Sequence, residues 1–384
     1  MGKIFYIGFY WNEADGVCRK NIRENIAGTV KMDFILKCLR QFNREIVLVS
    51  IMPSKNSGFQ HQETIKVSEK ETHVYLPALV LRVFGKNVIR GDLSLFFLKQ
   101  FMLKNVTNDD IVINYHSLIF GNFFLKMRQR IRFRWICEVE ELYSRLTTGT
   151  PSIKRVRFEQ KSIQGAEGYI LANDYLAEDI SGNTPRTVVY GNYTVFLDEK
   201  DRPHFDKSQV VLVYAGGIRK EGDLFVLLDA MEYLPKKYNL MILGTGAKKD
   251  MALMNEKIKY FNTQNAECRI RYCGVLHGKE YTDFLAKCDI GCSLMEEEQG
   301  FSTAFPSKIL TYLGHGLKVV STDVASIRNS QLADLIFFCR RNGESVAQAI
   351  QSVEFTNISG CSDRLRMLES RFKCELQKML DDSN

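Results

Sequence analysis

Short apolar runs bounded by turn residues recur along the whole chain. In the first half KIFYIGFY, EIVLVSIM, HVYLPAL, DIVINYH, RWICEVE and GYILAND read as strands, and in the second QVVLVYAGG, NLMILGTG, IRYCGVL, IGCSLME, LKVVST and LIFFCR do the same. Between them, residues 31–41, 224–234 and 279–286 space their apolar positions as amphipathic helices do. Strand and helix alternating in both halves predicts an α/β protein with two Rossmann-like parallel-sheet domains. A break is expected at about residues 183–206, where Pro185, Gly191, Pro203 and a cluster of charges interrupt the pattern. The expected domains are therefore residues 1–190 and 207–355. A charged helical segment at residues 360–384 is expected to cross back to the first domain. In open parallel sheets ligands bind beyond the carboxyl ends of the strands, so the loops that follow strands carry the chemistry, and two such domains would face each other across a cleft.

One stretch, EQGFSTAFPSKILTYLGHGLKVVST, shows how such a loop is built. Pro306 and Ser307 signal a helix start, with the serine as cap and the helix beginning near Lys308. Ile309, Leu310 and Leu313 share one face; Lys308, Thr311 and His315 share another. Gly314 and Gly316 end the helix before the apolar strand LKVVST. A lysine beside unsatisfied backbone N–H groups at a helix N-terminus suits an anion, while the same features also fit a capped surface helix with a solvated lysine.

Composition narrows the class. The chain of 384 residues, 45% hydrophobic and 25% charged, is long enough for two cores and is neither fibrous nor disordered. Its first residues lack the succession of a signal peptide, and no apolar run reaches the roughly 20 residues that span a bilayer, so a cytoplasmic protein is expected. Ten cysteines and six histidines are scattered without metal-finger spacing, which predicts reduced thiols and no zinc site. The net charge of +7 is unevenly distributed: between Leu79 and Arg134 ten basic residues, among them Arg82, Lys86, Arg90, Lys126, Arg128, Arg130, Arg132 and Arg134, meet three acids. Phe84, Phe96, Phe97, Phe101, Phe120, Phe123, Phe124 and Phe133 are interleaved with them. That mixture suits an anionic membrane surface and a peripheral association with it; no nucleic-acid module signature is present, and a solvated helix face is the plainer alternative.

Four loops of the second half carry signals. Gly216 and Gly217 follow a strand and precede Arg219 and Lys220; Gly244 and Gly246 follow the next; YCGVLHGKEY opens Gly274 to Gly278; and the fourth is the loop before Lys308. Singly each is weak. In this order, from YAGG through LGTG and YCGVLHGKEYTDFLAKCDIGCS to PSKILTYLGHGLKVVST, they resemble the donor-binding domain of the glycosyltransferases with the GT-B fold, especially the retaining family 4 of bacterial surface-polysaccharide assembly. The resemblance covers residues 210–325 with specificity and the first half loosely, through GVCRKNIRENIAGTVKMDFILKCL, NYHSL and ICEVEELYS.

The resemblance implies roles for particular residues. Arg219, Lys220, Ser307 and Lys308 would hold the diphosphate of a nucleotide-sugar, a UDP-sugar by expectation. Glu298 would lie beside the donor sugar, and Val275 and Leu276 would meet the base. Gly28 and Thr29 would lie near the phosphates, and His116 would face the reacting sugar. Thr311 stands where the family carries a ribose-gripping glutamate. Arg82, Lys86, Arg90, Lys126 and Glu140 fall on the acceptor or membrane side. With no Asp-x-Asp pair to hold a metal-bound nucleotide-sugar, the cations would neutralise the diphosphate without Mg²⁺. Plainer readings stay open: His116 as a structural strand-end residue, Glu298 as part of a solvated acidic run, and Glu138, Glu140 and Glu141 as first-turn acids of a helix. The expected activity is transfer of a sugar to a lipid-linked saccharide or other membrane-associated acceptor. A sugar-nucleotide epimerase and a non-catalytic nucleotide-sugar-binding subunit are the alternatives.

Overall fold

The computed structural model describes residues 2–19, 26–84, 86–145, 153–178, 180, 182–193, 195–197, 208–264, 269–296, 303–353 and 360–381. Its chain divides into two units: Met1–Arg145, Gly149–Gly191 and Arg371–Asn384 form the first, and Leu146–Thr148 with Asn192–Ser370 the second.

In unit 1 the strands are β1 (Ile4–Gly8), β2 (Ile46–Ser50), β3 (Gly58–Gln60), β4 (Glu63–Ser68), β5 (Glu71–Tyr75), β6 (Ala78–Val83), β7 (Lys86–Ile89), β8 (Ile111–Tyr115), β9 (Arg134–Val139), β10 (Gly168–Leu171) and β11 (Arg186–Val188). Its helices are α1 (Ile26–Leu39), α2 (Gly91–Asn105), α3 (Phe123–Arg128) and α4 (Ile153–Gln164). Eight strands form one sheet in the order β11-β10-β9-β8-β1-β2-β5-β4, parallel except for β4 against β5. The inner strands are apolar along their whole length because helices cover parallel sheets on both faces, as the fully buried IFYIG of β1 shows. Strand order reverses direction at β1 and β8, so the loops after these two strands open onto the crevice where ligands of such sheets bind.

The run HVYLPAL, expected as one strand, is two. Pro77 has no N–H for a ladder, β5 ends at Tyr75, and β6 joins a separate antiparallel sheet in the order β3-β6-β7. Phe120, Phe124 and Phe133, read from sequence as facing lipid, instead fill the core with Trp135, against whose indole Phe124 stacks at 5.8 Å. Of that phenylalanine set only Phe84 and Phe96 are exposed.

Unit 2 holds β12 (Val210–Ala215), β13 (Tyr238–Leu243), β14 (Ile270–Tyr272), β15 (Ile290–Ser293), β16 (Lys318–Thr322) and β17 (Ile336–Cys339). Its helices are α5 (Asp223–Ala230), α6 (Lys248–Gln264), α7 (Gly278–Leu285), α8 (Ser307–Gly314), α9 (Ala325–Arg328) and α10 (Gly343–Val353). The sheet is all parallel in the order β14-β13-β12-β15-β16-β17, the doubly wound arrangement whose switch point lies between β12 and β15. The last helix, α11 (Cys361–Asp381), begins in unit 2, where Arg364 reaches Asp334, and ends in unit 1, where Phe372 lies 5.8 Å from the ring of Phe34 and Glu375 accepts a hydrogen bond from Thr187. No described helix is long and apolar enough to cross a membrane.

Candidate active site

In unit 2 the site grows from the end of β12. Gly216 and Gly217 leave the strand, Gly222 precedes α5, and Asp223 is the first residue of that helix. Helix α8 brings Lys308 to the same place. Its Nζ lies 3.0 Å from Asp223 Oδ2 and 4.6 Å from the centre of the Tyr214 ring, whose hydroxyl donates to Gly217 O. Burial works against the Lys308 charge, but the Asp223 carboxylate and the Tyr214 ring oxygen beside it outweigh burial and hold the ammonium above its ordinary pKa. A side chain at Gly216 would stand 3.4 Å from that ammonium, so glycine leaves the backbone beside the cation open. Helix α8 is pinned in this position by Tyr312, whose hydroxyl accepts from Ala215 N at the end of β12. The Tyr312 ring occupies the space that a side chain on Gly291 of β15 would need, since a Cβ there would lie 2.2 Å away.

The helix start differs from expectation. Pro306 is the N-cap, Ser307 the first helical residue, and no side chain caps the end, because proline has no hydroxyl to offer the first N–H groups. Ser307 is exposed, and Thr311 turns its hydroxyl back to Ser307 O at 3.2 Å. The structure thus brings Gly216, Gly217, Ser307, Lys308 and Thr311 together around the ends of β12 and α8. Arg219 and Lys220 are exposed on the same loop, which Arg341 ties to the end of β15 by donating to Glu221 O and Leu294 O. Gly244 adjoins them: Gly216 N donates to Leu243 O, Gly244 N to Gly274 O, and Ile218 bridges Gly246, so three strand-end loops continue the ladder. Val275 is exposed and Leu276 half-buried just beyond Gly274. Glu298 lies outside the described residues.

In unit 1 the loop after β8 places His116, buried, with its backbone N–H on Glu138 O and Nε2 2.9 Å from Glu159 Oε1. Glu159 on α4 also accepts from the backbone N–H groups of Tyr143 and Ser144. Burial would raise its pKa, yet the bonds from His116 and Ser144 hold the carboxyl below the usual range. His116 is therefore oriented by a carboxylate, as a histidine that must present one ring nitrogen in a fixed direction requires. Gly28, buried, and Thr29 lie in the first turn of α1. Lys31, two residues further along that helix, pairs its buried ammonium with Glu140 Oε1 at 2.6 Å, which ties the end of β9 to α1. Glu138, Glu140 and Glu141 end β9 and start no α-helix; Glu138 is wholly buried, accepts from the Tyr6 hydroxyl, and burial pushes its carboxyl up.

The loop after β1 is held by groups that sequence spacing does not reveal. His73 of β5 bridges Asp15 Oδ2 at 2.6 Å and Glu71 Oε1 at 2.9 Å, and Arg40 grips Glu71 with two bonds. Arg19 staples the same loop by donating to Met52 O, His61 O, Tyr75 O and Leu76 O. Burial alone would lower the His73 pKa, but the Asp15 and Glu71 carboxylates push it up to about 9. The sign follows: this stabilisation is full below the unfolded value of about 6.5 and is lost as pH rises through about 9. The unfolding free energy from denaturant titration should fall between pH 6.5 and 9.5, by up to about 3 kcal/mol, and His73→Gln should flatten that decline. A wild-type profile as flat as that of the variant would contradict the network.

The cations of the basic segment are scattered. Arg90 pairs with Asp92 and Arg128 with Glu167, Arg134 donates to Leu380 O, while Arg82 and Lys86 are exposed on β6 and β7 and Lys126 on α3. Among the described residues no group of three or more His, Cys, Asp or Glu side chains is arranged to hold a metal ion.

Two parallel-sheet units, the second with a cation and an uncapped helix end at its switch point, have the α/β architecture of GT-B glycosyltransferase structures. Residues 209–353, which contain all of that second site, match the family described as Glycosyl transferases group 1. No curated protein matches the chain in sequence. Solved structures match nearly all of it. The UDP-forming α,α-trehalose-phosphate synthase of Burkholderia xenovorans in complex with glucose-6-phosphate has a TM-score of 0.70 at 10% identity, covering 99% of this chain and 98% of that one. Anabaena HepE in complex with UDP has a TM-score of 0.63 at 11% identity, with 99% and 100% covered. At such identities the likeness is one of fold.

Proposed function

We propose that the protein is a retaining, family 4-type glycosyltransferase that moves a sugar from a UDP-sugar to a lipid-linked saccharide or other membrane-associated acceptor in polysaccharide biosynthesis, working at the cytoplasmic face of the cell membrane. The observation that carries the donor half is the Lys308 ammonium, held at the uncapped start of α8 beside the open backbone of Gly216. A diphosphate seated there meets a cation and backbone N–H groups together. As the bond from the anomeric carbon to the diphosphate oxygen breaks, the electron pair and the growing negative charge pass to that oxygen, and these fixed groups stabilise it. Arg219 and Lys220, exposed on the same loop, reach the outer phosphate oxygens. UDP in the HepE structure supports the choice of nucleotide. Within unit 1, His116 is oriented by Glu159, and the family resemblance gives it the sugar-facing role.

The acceptor admits a second reading, a sugar phosphate, favoured by the glucose-6-phosphate of the Burkholderia synthase. Incubation with UDP-sugars and either a lipid extract or a set of hexose phosphates, following nucleotide release and product mass, decides between them. Nucleotide release that depends on lipid extract, with a lipid gaining one hexose in mass, supports the membrane acceptor; release only with a hexose phosphate overturns it. Because protein cations neutralise the diphosphate in this reading, activity should persist in excess EDTA. Loss on chelation with recovery on Mg²⁺ or Mn²⁺ would contradict it.

A further inference from the structure

The ribbon β6–β7 leaves an apolar face uncovered. Its register pairs Leu81 with Val88 and Val83 with Lys86, and partners directly opposite share a face, so Leu81, Val83 and Val88 lie together with Lys86 at their outer edge, while Arg82 lies on the opposite face. They are 37%, 41% and 44% exposed. Strand β3 pairs only with Ala78–Val80 at the base of β6, so the outer half of the ribbon stands clear of it.

The tip adds a second, independent observation. Val83 pairs with Lys86, so Phe84 lies in the tight connection between the two strands. Phe84 has φ +48° and is wholly exposed. Tight hairpin turns place asparagine or glycine at such angles, where a bulky side chain is strained. An aromatic side chain held there against that preference and wholly exposed is available to a partner.

Charge selects the partner. From Ala78 to Arg90 the sequence ALVLRVFGKNVIR carries Arg82, Lys86 and Arg90 and no acid. Arg90 is paired with Asp92, leaving Arg82 and Lys86 exposed beside the tip. A second copy docked face to face would bring the same cations together, which opposes self-association. A layer of anionic headgroups over hydrocarbon takes both features at once: cations at the phosphates, Phe84 and the valines in the boundary beneath.

We propose that the β6–β7 ribbon is a membrane-docking element that inserts Phe84 into an anionic phospholipid surface. This deepens the membrane-acceptor reading and rests on it for its purpose, but lipid binding is measured without donor or acceptor. The full chain should cosediment with phosphatidylglycerol–phosphatidylcholine vesicles and not with pure phosphatidylcholine, and salt should weaken the binding. Phe84→Asn, which suits the turn and so preserves the fold, should weaken vesicle binding about tenfold while leaving transfer to a soluble acceptor intact. Arg82→Glu with Lys86→Glu should abolish it at low salt. The fluorescence of Phe84→Trp should shift to the blue on anionic vesicles alone. No binding by the wild type, equal binding by Phe84→Asn, or a concentration-dependent dimer that Phe84→Asn dissolves would overturn the proposal, the last by giving the ribbon to a second copy. Vesicle binding with no sugar transfer would sink the functional reading and leave the ribbon standing.

Discussion

Lys308→Ala is expected to lower kcat/KM by about 30- to 1000-fold, the equivalent of roughly 2–4 kcal/mol of transition-state stabilisation. The loss should fall mainly on kcat, because the ammonium meets most charge once the sugar has left the diphosphate. Removing it also strands Asp223, its partner at 3.0 Å. That carboxylate is the first residue of α5, where the helix dipole favours a negative charge, so the fold is expected to survive. Lys308→Met with Asp223→Asn separates the two effects: the double variant, with no unpaired charge, should melt close to wild type and remain inactive. Recovery of turnover in the double variant would show that Lys308 serves only its ion pair.

Gly244→Ala should be the most disruptive single change in unit 2. At φ +134° the position suits glycine, and a Cβ there would lie 1.8 Å from Gly216 O and 2.9 Å from Gly216 C, both backbone atoms. Neither can swing aside as a side chain could, so the loops after β12 and β13 must separate. The bond from Gly216 N to Leu243 O and that from Gly244 N to Gly274 O would be strained or lost. A loss of about 3 kcal/mol, or roughly 10 °C in the melting temperature of the unit, is expected together with loss of UDP binding. A variant that melts and binds as the wild type does would show that the loops are not coupled as described.

Runs such as IVLVS and VVLVYA announce their strands because a parallel sheet is buried on both faces, leaving no polar alternation to obscure the signal. The same reasoning explains what was illegible. Strand β4, ETIKVS, is largely exposed and short of apolar residues, and the start of β6 hid behind Pro77 in what reads as one run with β5. The basic-aromatic segment misled because composition does not tell a core phenylalanine from an exposed one: Phe124 and Phe133 are buried, Phe84 is not. In the candidate site, glycines after strands and Lys308 at a helix start were legible because the turn chemistry is local. Asp223 lies 85 residues from Lys308 and Glu159 43 from His116, and such partners leave no mark in spacing. Tyr312 read only as a residue of a helix; that it pins α8 to β12 depends on the room left by Gly291.

Calorimetric titration of the wild type and Lys308→Ala with uridine, UMP and UDP tests the central claim most directly, because it asks whether a diphosphate is held, and where. UDP should bind the wild type at one site at least tenfold more tightly than UMP, and Lys308→Ala should erase most of that difference while leaving the weak affinity for uridine in place. No binding of UDP, or a preference for UDP that survives the loss of Lys308, would contradict the assignment of the diphosphate to the start of α8.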